Sequence, residues 1–433
     1  MKKREHKLKW RKLDNSAKIF PMSAGKKYST VFRLSVLLKD DINNKTLEKA
    51  VKLTLQKYSM FKVKMKSGFF WYYFEENTKN PIIKQEQEYP CKYINPKKNN
   101  DYLFKVTYYK NKINIDIFHS LTDGNSGNLF FKEIVYKYLE LTYRDEFANE
   151  DRHIKKFSIN TEDSYIKNYN KKAKAKSSLK KPYKLRGNKI SLGAISVIHQ
   201  IFSITELKKI CEEKGVTITQ YLTALLIHSI YNGNYGKYKN NKNKKSIKVC
   251  IPVNLKKYFE SNTVSNFFSY IIIDADYKKY NFEDFDQILI CVKENFEKKL
   301  QKHEIEKTMS SNVRLGINPF IRLTPLILKN ILVRAIYIEI RKYVTITFSN
   351  IGRMGIIGKY KNYIEYFMML LAPEQVEKIK CSACTFEDKM VFTFTSVLKD
   401  TSIEQEFYNF LINNGINVEI ESNGVLDDIS KKN

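Results

Sequence analysis

The chain has 433 residues, a length that suits two domains of ordinary size. Hydrophobic residues make up 43%, and Gly and Pro number only 15 and 9, so the composition predicts packed cores and excludes collagen-like or low-complexity sequence. A formal net charge of +30 would suit a nucleic acid, an anionic membrane surface or a phosphorylated ligand, and equally a set of solvent-facing lysines. Charge alone therefore assigns no partner.

The N-terminal residues lack the apolar core of a signal peptide, and the longest apolar runs, 270–273 and 367–372, are too short to span a bilayer. Six scattered cysteines in a long chain suggest reduced thiols, so we expect a cytoplasmic protein. Cys381 and Cys384 have the spacing of a redox or metal pair, but no second pair or His follows nearby. The sequence therefore predicts no metal site.

In the first part of the chain, hydrophobic periodicity predicts strands and helices in alternation. Asn44 is placed to cap a helix that runs to about Tyr58, and Ser67-Gly68 and Lys110-Asn111-Lys112 mark hairpin turns. The predicted strands are 28–38, 61–65, 69–74, 102–109 and 113–118, and a helix is predicted over 130–141.

The stretch 171–189 holds nine Lys or Arg and no acidic residue, so we interpret it as an inter-domain linker between domains at 1–170 and 190–433. Mixed elements resume after it. The predicted strands are 195–202, 247–253, 267–274, 344–348 and 391–397, and the predicted helices are 205–214, one from Thr217 or Thr219, 282–301, 325–340 and 403–413.

A short polar stretch lies where the strand 113–118 gives way to the helix 130–141. It contains His119, Asp123 four residues later, and Gly124 directly after the Asp. His is the side chain most readily poised to accept a proton near neutral pH. Asp123 suits a residue that locks the turn, and Gly124 suits a position with positive φ or close backbone approach.

This stretch, Phe118-His119-Ser-Leu-Thr-Asp123-Gly124, resembles the His-x-x-x-Asp-Gly motif of the CoA-dependent acyltransferases. That superfamily includes chloramphenicol acetyltransferase, the condensation domains of peptide synthetases and the alcohol acetyltransferases. Ile251-Pro-Val-Asn-Leu255 is similar to a segment that many members carry in the second half, and Ser349-Asn350-Ile-Gly352 is similar to one in the alcohol acetyltransferase-like branch. The resemblance covers nearly the whole chain.

The resemblance implies an α/β fold of two chloramphenicol-acetyltransferase-like domains that form a pseudo-dimer with a tunnel between them. His119 would be the general base, and Asp123 and Gly124 would be structural parts of the motif. Acyl-CoA would be a co-substrate, with no permanently bound cofactor and no metal, and a small-molecule alcohol or amine would be the acceptor. Ser349 and Asn350 are candidates for the oxyanion site or tunnel wall.

Three features depart from the relatives. Condensation domains usually have a second His where this chain has Phe118, and the Asp-Phe-Gly-Trp-Gly motif of the plant branch is absent. Lys62 stands where an Arg usually pairs with the motif Asp, and Lys cannot make bidentate contacts. A non-catalytic, condensation-domain-like binding protein therefore remains the alternative, whereas a nucleic-acid-binding protein rests on charge alone.

Overall fold

The computed structural model describes residues 10–148, 160–175, 180–191, 193–237 and 245–426. In chain order the strands are β1 (Trp10–Lys12), β2 (Val31–Leu38), β3 (Val63–Ser67), β4 (Tyr72–Glu76), β5 (Ile83–Gln85), β6 (Phe104–Tyr109), β7 (Lys112–Phe118), β8 (Ser196–Ser203), β9 (Ile247–Asn254), β10 (Phe268–Ala275), β11 (Ile346–Arg353), β12 (Ile364–Leu371), β13 (Ile379–Phe386), β14 (Lys389–Ser396) and β15 (Val418–Ser422). The α-helices are α1 (Ile19–Ser23), α2 (Asn44–Lys57), α3 (Gly124–Thr142), α4 (Arg144–Phe147), α5 (Ser164–Lys167), α6 (Ile204–Glu213), α7 (Ile218–Ile230), α8 (Phe285–Lys299), α9 (Lys302–Ile317), α10 (Pro319–Leu323), α11 (Leu326–Arg341) and α12 (Ser402–Asn413).

Within the described residues the strands form three sheets. The large sheet has seven strands in the order β10-β9-β11-β13-β14-β8-β15. The N-terminal sheet has five strands in the order β12-β2-β7-β6-β5, and the small sheet has three in the order β1-β4-β3. The fold is therefore a mixed α/β architecture with helices packed on large sheets.

Both predicted hairpins of the N-terminal half are confirmed, with β3 pairing antiparallel to β4 and β6 antiparallel to β7. The β6–β7 register joins Tyr109 to Lys112 and leaves Lys110 at a φ of 49° in the turn. This register places β7 in the middle of the N-terminal sheet, with His119 directly after its last residue.

One strand of the N-terminal sheet comes from far along the chain. β12 pairs antiparallel with β2, from Ile364 opposite Leu38 to Leu371 opposite Phe32. The N-terminal core also includes Phe367, Met368 and Met369. The linker at 171–189 stays a prediction, but the sheet before it is completed by residues long after it.

Hydrophobic periodicity did not predict β12, β13 or α9. β12 is an unbroken apolar run because both of its faces are covered, so it lacks the alternation that marks a half-exposed strand. On β13, Cys381 lies in the core formed by the C-terminal half, with Phe348 and Phe392, and Cys384 lies in the N-terminal core. Residues three apart in a strand face opposite sides of the sheet. These two thiols cannot bind one metal ion together.

Candidate functional site

His119 lies at the point where β7 leaves the N-terminal sheet. Its backbone N–H donates to the carbonyl of Thr30 at 3.0 Å, which extends the ladder between β2 and β7 by one more bond. The side chain is only partly exposed. The sheet therefore fixes the backbone of His119, and the neighbouring side chains decide where its ring points.

Three aromatic rings surround the imidazole. Phe20 of α1 stacks on it at 4.6 Å between ring centroids, with an interplanar angle of 17°. Phe32 of β2 approaches edge-on at 5.2 Å, and Phe268 of β10 lies at 5.1 Å in a tilted arrangement. These contacts come from both halves of the chain, so the ring lies where the two halves meet.

The Nδ1 atom of His119 lies 3.2 Å from Oδ1 of Asn266. The amide of Asn266 is itself oriented, because its Nδ2 donates to Oδ2 of Asp14 at 3.1 Å and its backbone N–H donates to the same oxygen at 3.2 Å. Both oxygens of Asp14 accept backbone N–H groups, Oδ1 from Ala17 and Oδ2 from Asn266, so the amide nitrogen of Asn266 faces Oδ2 and its amide oxygen faces His119. Nδ1 of His119 therefore carries the hydrogen, and Nε2 keeps its lone pair.

Burial lowers the pKa of His119 below its ordinary value of 6.5, and the charge of Arg341 lowers it further. The hydrogen bond with Asn266 and the charge of Asp123 act in the opposite direction but do not restore it. At neutral pH the ring is consequently neutral, which is the protonation state that a general base requires.

Asp14 holds Asn266 in this orientation. It is buried, and its other carboxylate oxygen accepts the backbone N–H of Ala17 at 2.7 Å. Burial raises the pKa of Asp14 to about 7, whereas the N–H donors of Ala17 and Asn266 favour the ionised form. The chain of contacts from Asp14 through Asn266 to His119 resembles an orienting relay, in which each group fixes the hydrogen-bonding direction of the next.

Asp123 joins the turn after His119 to the second half of the chain. One carboxylate oxygen caps α3 by accepting the backbone N–H of Ser126 at 2.9 Å. The other accepts the backbone N–H of Phe267 at 3.1 Å, and the neighbouring Thr122 hydroxyl donates to the carbonyl of Val264 at 2.9 Å. Asp123 therefore holds the motif turn against the segment that carries Asn266.

The predicted backbone role of Gly124 is wrong. Gly124 is the first residue of α3 and is not among the glycines with positive φ. A Cβ built on it would have ordinary contacts only, the nearest being Ile351 Cγ2 at 3.8 Å. The close approach falls instead at Gly127, where a Cβ would lie 3.0 Å from Ile117 Cδ1 and 3.1 Å from Phe32 Cζ.

The structure does not bring Lys62 to Asp123. Among the described residues no ion pair joins them, and both Asp123 oxygens are engaged by backbone N–H groups. Ser349 and Asn350 lie on β11, whose next residue, Ile351, approaches Gly124. The Asn350 side chain is already bonded, because its Nδ2 donates to Thr219 Oγ1 at 3.2 Å and its Oδ1 accepts from Gly352 N–H at 2.9 Å.

Sequence reasoning missed Asp14, Asn266 and the stacking residue Phe20. Asn266 lies 147 positions from His119 in the sequence, and Asp14 lies 252 positions from Asn266. Asn266 sits in a short irregular segment directly before the strand predicted at 267–274, whereas Asp14 and Phe20 belong to a stretch for which the sequence predicts no regular element. A polar residue just before the strand predicted at 267–274 was the only local signal for Asn266.

This architecture is the two-domain α/β fold of the CoA-dependent acyltransferases and the peptide-synthetase condensation domains. The trichothecene 15-O-acetyltransferase TRI3 from Fusarium sporotrichioides has this fold, with a TM-score of 0.63 and 9% sequence identity over 94% of this chain and 95% of that one. TRI101 from F. sporotrichioides, crystallised with coenzyme A and T-2, matches with a TM-score of 0.61 and 8% identity over 95% and 99% of the two chains.

The starter condensation domain of rhizomide synthetase RzmA, in complex with C8-CoA and Leu-SNAC, has a TM-score of 0.60 and 9% identity over 94% of both chains. No protein-family model matches the sequence, and no curated protein matches it in sequence. The expected two-domain fold is thus confirmed by structure where sequence similarity is very low.

In the described part of the chain, no helix combines the length and apolar character needed to cross a bilayer. Over the same residues, no three or more His, Cys, Asp or Glu side chains converge in a way that could hold a metal ion.

Proposed function

We propose that the protein transfers an acyl group from acyl-CoA to the hydroxyl group of a small-molecule acceptor, with His119 as the general base. The same reaction with an amine in place of the hydroxyl group is the alternative form of this proposal. The observation that carries this proposal is the orientation of His119: Asn266 accepts from its Nδ1, which leaves Nε2 as a proton acceptor at the junction of the two halves.

The reaction follows from that orientation. Nε2 of His119 takes the proton from the acceptor hydroxyl as its oxygen attacks the thioester carbonyl, which gives a tetrahedral oxyanion. Collapse of this intermediate breaks the carbon–sulfur bond and expels the CoA thiolate, which takes the proton from the imidazolium. The acyl group passes directly to the acceptor without a covalent intermediate on the enzyme.

The structural neighbours support the class of co-substrate. TRI101 was crystallised with coenzyme A, the RzmA domain was solved with C8-CoA, and TRI3 is described as an O-acetyltransferase.

For the oxyanion, Ser349 is the better of the two predicted donors. Asn350 would have to give up its bond to Thr219 to serve as one.

The test is release of free thiol from a panel of acyl-CoAs offered with mixed alcohols and amines. We expect acceptor-dependent release by the wild type and a rate lower by about 10²–10⁴ in His119→Ala, because general-base catalysis contributes about that factor. His303→Ala is the matched control, since His303 is exposed and lies beside Glu304 on its own helix.

Equal rates of thiol release by the wild type and His119→Ala would refute the role of His119 as the general base. Binding of CoA by both proteins, measured by calorimetry, together with no thiol release for any acceptor, would instead favour the non-catalytic binding protein.

A further inference from the structure

Helix α11 and the short helix α10 before it expose an unusually apolar surface. Phe320 of α10 is 85% exposed and Ile327 of α11 is 77% exposed. The large aliphatic side chains exposed along α11, here called the apolar face, are Ile327, Leu328, Ile331, Leu332, Ile336 and Ile340. Their spacing places them on one broad side of the helix.

The inward side of α11 is the polar one. Lys329 is buried and donates through Nζ to the carbonyl of Phe70 at 2.9 Å, and Asn330 donates to Tyr72 OH at 3.1 Å. Tyr337 donates to Glu374 at 3.0 Å, and Arg341 lies 3.4 Å from Glu377. The helix thus docks on the protein largely through polar contacts, with Leu326 as its buried apolar residue, and directs most of its large aliphatic side chains outward, the reverse of the usual orientation of a surface helix.

Aromatic residues extend the apolar face at one end. The β3–β4 hairpin places Phe69 beside the start of α11, where the Leu326 N–H donates to the Phe69 carbonyl at 2.9 Å. Phe69 is 72% exposed, and Phe70 next to it is also exposed. Exposed Phe rings beside a Leu- and Ile-rich helix face are typical of a helix that lies at a lipid–water interface.

Basic residues lie at the border of this surface. Arg322 of α10 and Arg334 of α11 are exposed, and the Arg334 guanidinium lies beside the turn that carries the exposed Lys26 and Lys27. Glu339 is the exposed acid of α11, and Lys342 pairs with it at 2.7 Å. With a net charge of +30 on the chain, the border complements an anionic surface.

The remaining segments of the chain do not offer a matching cover. The stretches outside the described residues are 1–9, 149–159, 176–179, 192, 238–244 and 427–433, and in sequence each is short, and the longer ones are predominantly polar. None has the row of large apolar residues that would complement the apolar face. An apolar surface outside the protein that carries negative charge at its border would match both the apolar face and the basic residues around it.

We propose that the apolar face of α11, with Phe69, Phe70 and Phe320, docks on the surface of an anionic lipid bilayer. The helix has 16 residues and would lie in the plane of the interface. Its Leu and Ile side chains enter the acyl-chain boundary, while Arg322, Arg334, Lys26 and Lys27 contact the lipid phosphates. This inference is independent of the acyltransferase proposal.

The test is co-sedimentation of the full chain with vesicles of equimolar phosphatidylcholine and phosphatidylglycerol, compared with phosphatidylcholine alone. We expect binding to the anionic vesicles that weakens with added salt. In Ile331→Glu/Leu332→Glu, the partition coefficient should fall by more than about a hundredfold, because two exposed aliphatic side chains that would enter the bilayer are replaced by charges. Arg322→Glu/Arg334→Glu should lower it by at least about 25-fold.

Ile290→Glu is the matched control, because Ile290 is an exposed aliphatic residue of α8 at 46% exposure, outside the apolar face. Thermal unfolding of each variant checks that the fold is retained. Three results would overturn the proposal: no binding of the wild type to anionic vesicles, an equal loss in Ile290→Glu, or a dimer in light scattering that the Ile331/Leu332 variant abolishes without any vesicle binding by the wild type.

Discussion

Asn266 determines which nitrogen of His119 carries the hydrogen, because its oxygen faces Nδ1 and its nitrogen faces Asp14. Replacing Asn266 with Ala removes the acceptor for Nδ1–H and frees the ring to adopt the other tautomer. We expect kcat to fall about tenfold, the value of one hydrogen bond of roughly 1.4 kcal/mol. Since the Asn266 hydrogen bond raises the pKa of His119, the acidic limb of the rate profile should also move to lower pH.

Steady-state kinetics across pH would measure both effects of Asn266→Ala. A fall in kcat with the acidic limb unmoved would indicate that Asn266 supports the fold and does not hold the ring. Asp14→Asn, which keeps the size of the side chain, is the companion variant.

The pH dependence of the wild type follows from the environment of His119. Burial lowers its pKa below 6.5, and only the neutral ring can accept a proton. Protonation of His119 should therefore lower the activity only as pH falls through a value below 6.5. A profile of kcat/KM against pH checks this in Asp14→Asn as well as in the wild type, because the pKa of Asp14 is about 7 and a step that belongs to that carboxyl is absent from the variant. A decline above pH 6.5 in both proteins would contradict it.

At the residue scale, local spacing singles out His119 and Asp123 as candidates but does not indicate the residues that contact them. The six residues of the motif, 119–124, form one local turn, so their spacing can be recognised in the sequence. Asp14 and Asn266 reach the site only because the N-terminal segment and the segment before β10 pack together, and no periodic pattern records such a contact. The same reason explains the misassigned glycine: Gly124 and Gly127 are alike in sequence, and only the packing of α3 on the sheet distinguishes them.

At the scale of elements, α3 depends on how closely it approaches the N-terminal sheet. Gly127→Ala places a methyl group 3.0 Å from Ile117 Cδ1, against a side chain that is fully buried. Overpacking of this kind costs about 1–3 kcal/mol and helix propensity returns about 1 kcal/mol, so we expect a net loss of up to about 2 kcal/mol. The midpoint of thermal unfolding should fall by about 1 °C for each kcal/mol of net loss in a chain of 433 residues, since the shift per kcal/mol decreases as the chain lengthens.

Gly124→Ala is the control for this prediction, because it adds the same methyl group to the same helix with its nearest contact at 3.8 Å. Its unfolding midpoint should equal or exceed that of the wild type, because no overpacking opposes the gain in helix propensity. Equal midpoints for Gly127→Ala and the wild type would mean that the sheet relaxes to accept the methyl group.

Most elements were predictable because they are amphipathic or have a capping residue. The helix predicted from Thr217 or Thr219 begins at Ile218, with Thr217 and Gln220 forming a capping box. The predicted cap of the first long helix shifts by one residue to Asn43, whose side chain accepts from Thr46 N–H. The elements that escaped prediction include β12 and β13, whose side chains are covered on both faces.

At the scale of the whole molecule, the N-terminal half is incomplete by itself. A fragment of residues 10–175 lacks β12, so β2 becomes an edge strand and the core loses Phe367, Met368 and Met369. We expect this fragment to show no cooperative thermal transition by circular dichroism. Adding residues 180–426 in trans is the complementary measurement, and a sharp transition of the fragment alone would show that the 1–170 domain is self-sufficient.

The pairing of β12 with β2 also sets a schedule for biosynthesis. Leu38 leaves the ribosome early, but its partner Ile364 is synthesised 326 residues later. At a translation rate of about 5–20 residues per second, the edge of β2 that pairs with β12 stays unpaired for roughly twenty seconds to a minute. During that interval the nascent chain presents an apolar, unpaired strand to the cell, so production of this protein should depend on chaperone capacity and be sensitive to the speed of translation between those two strands.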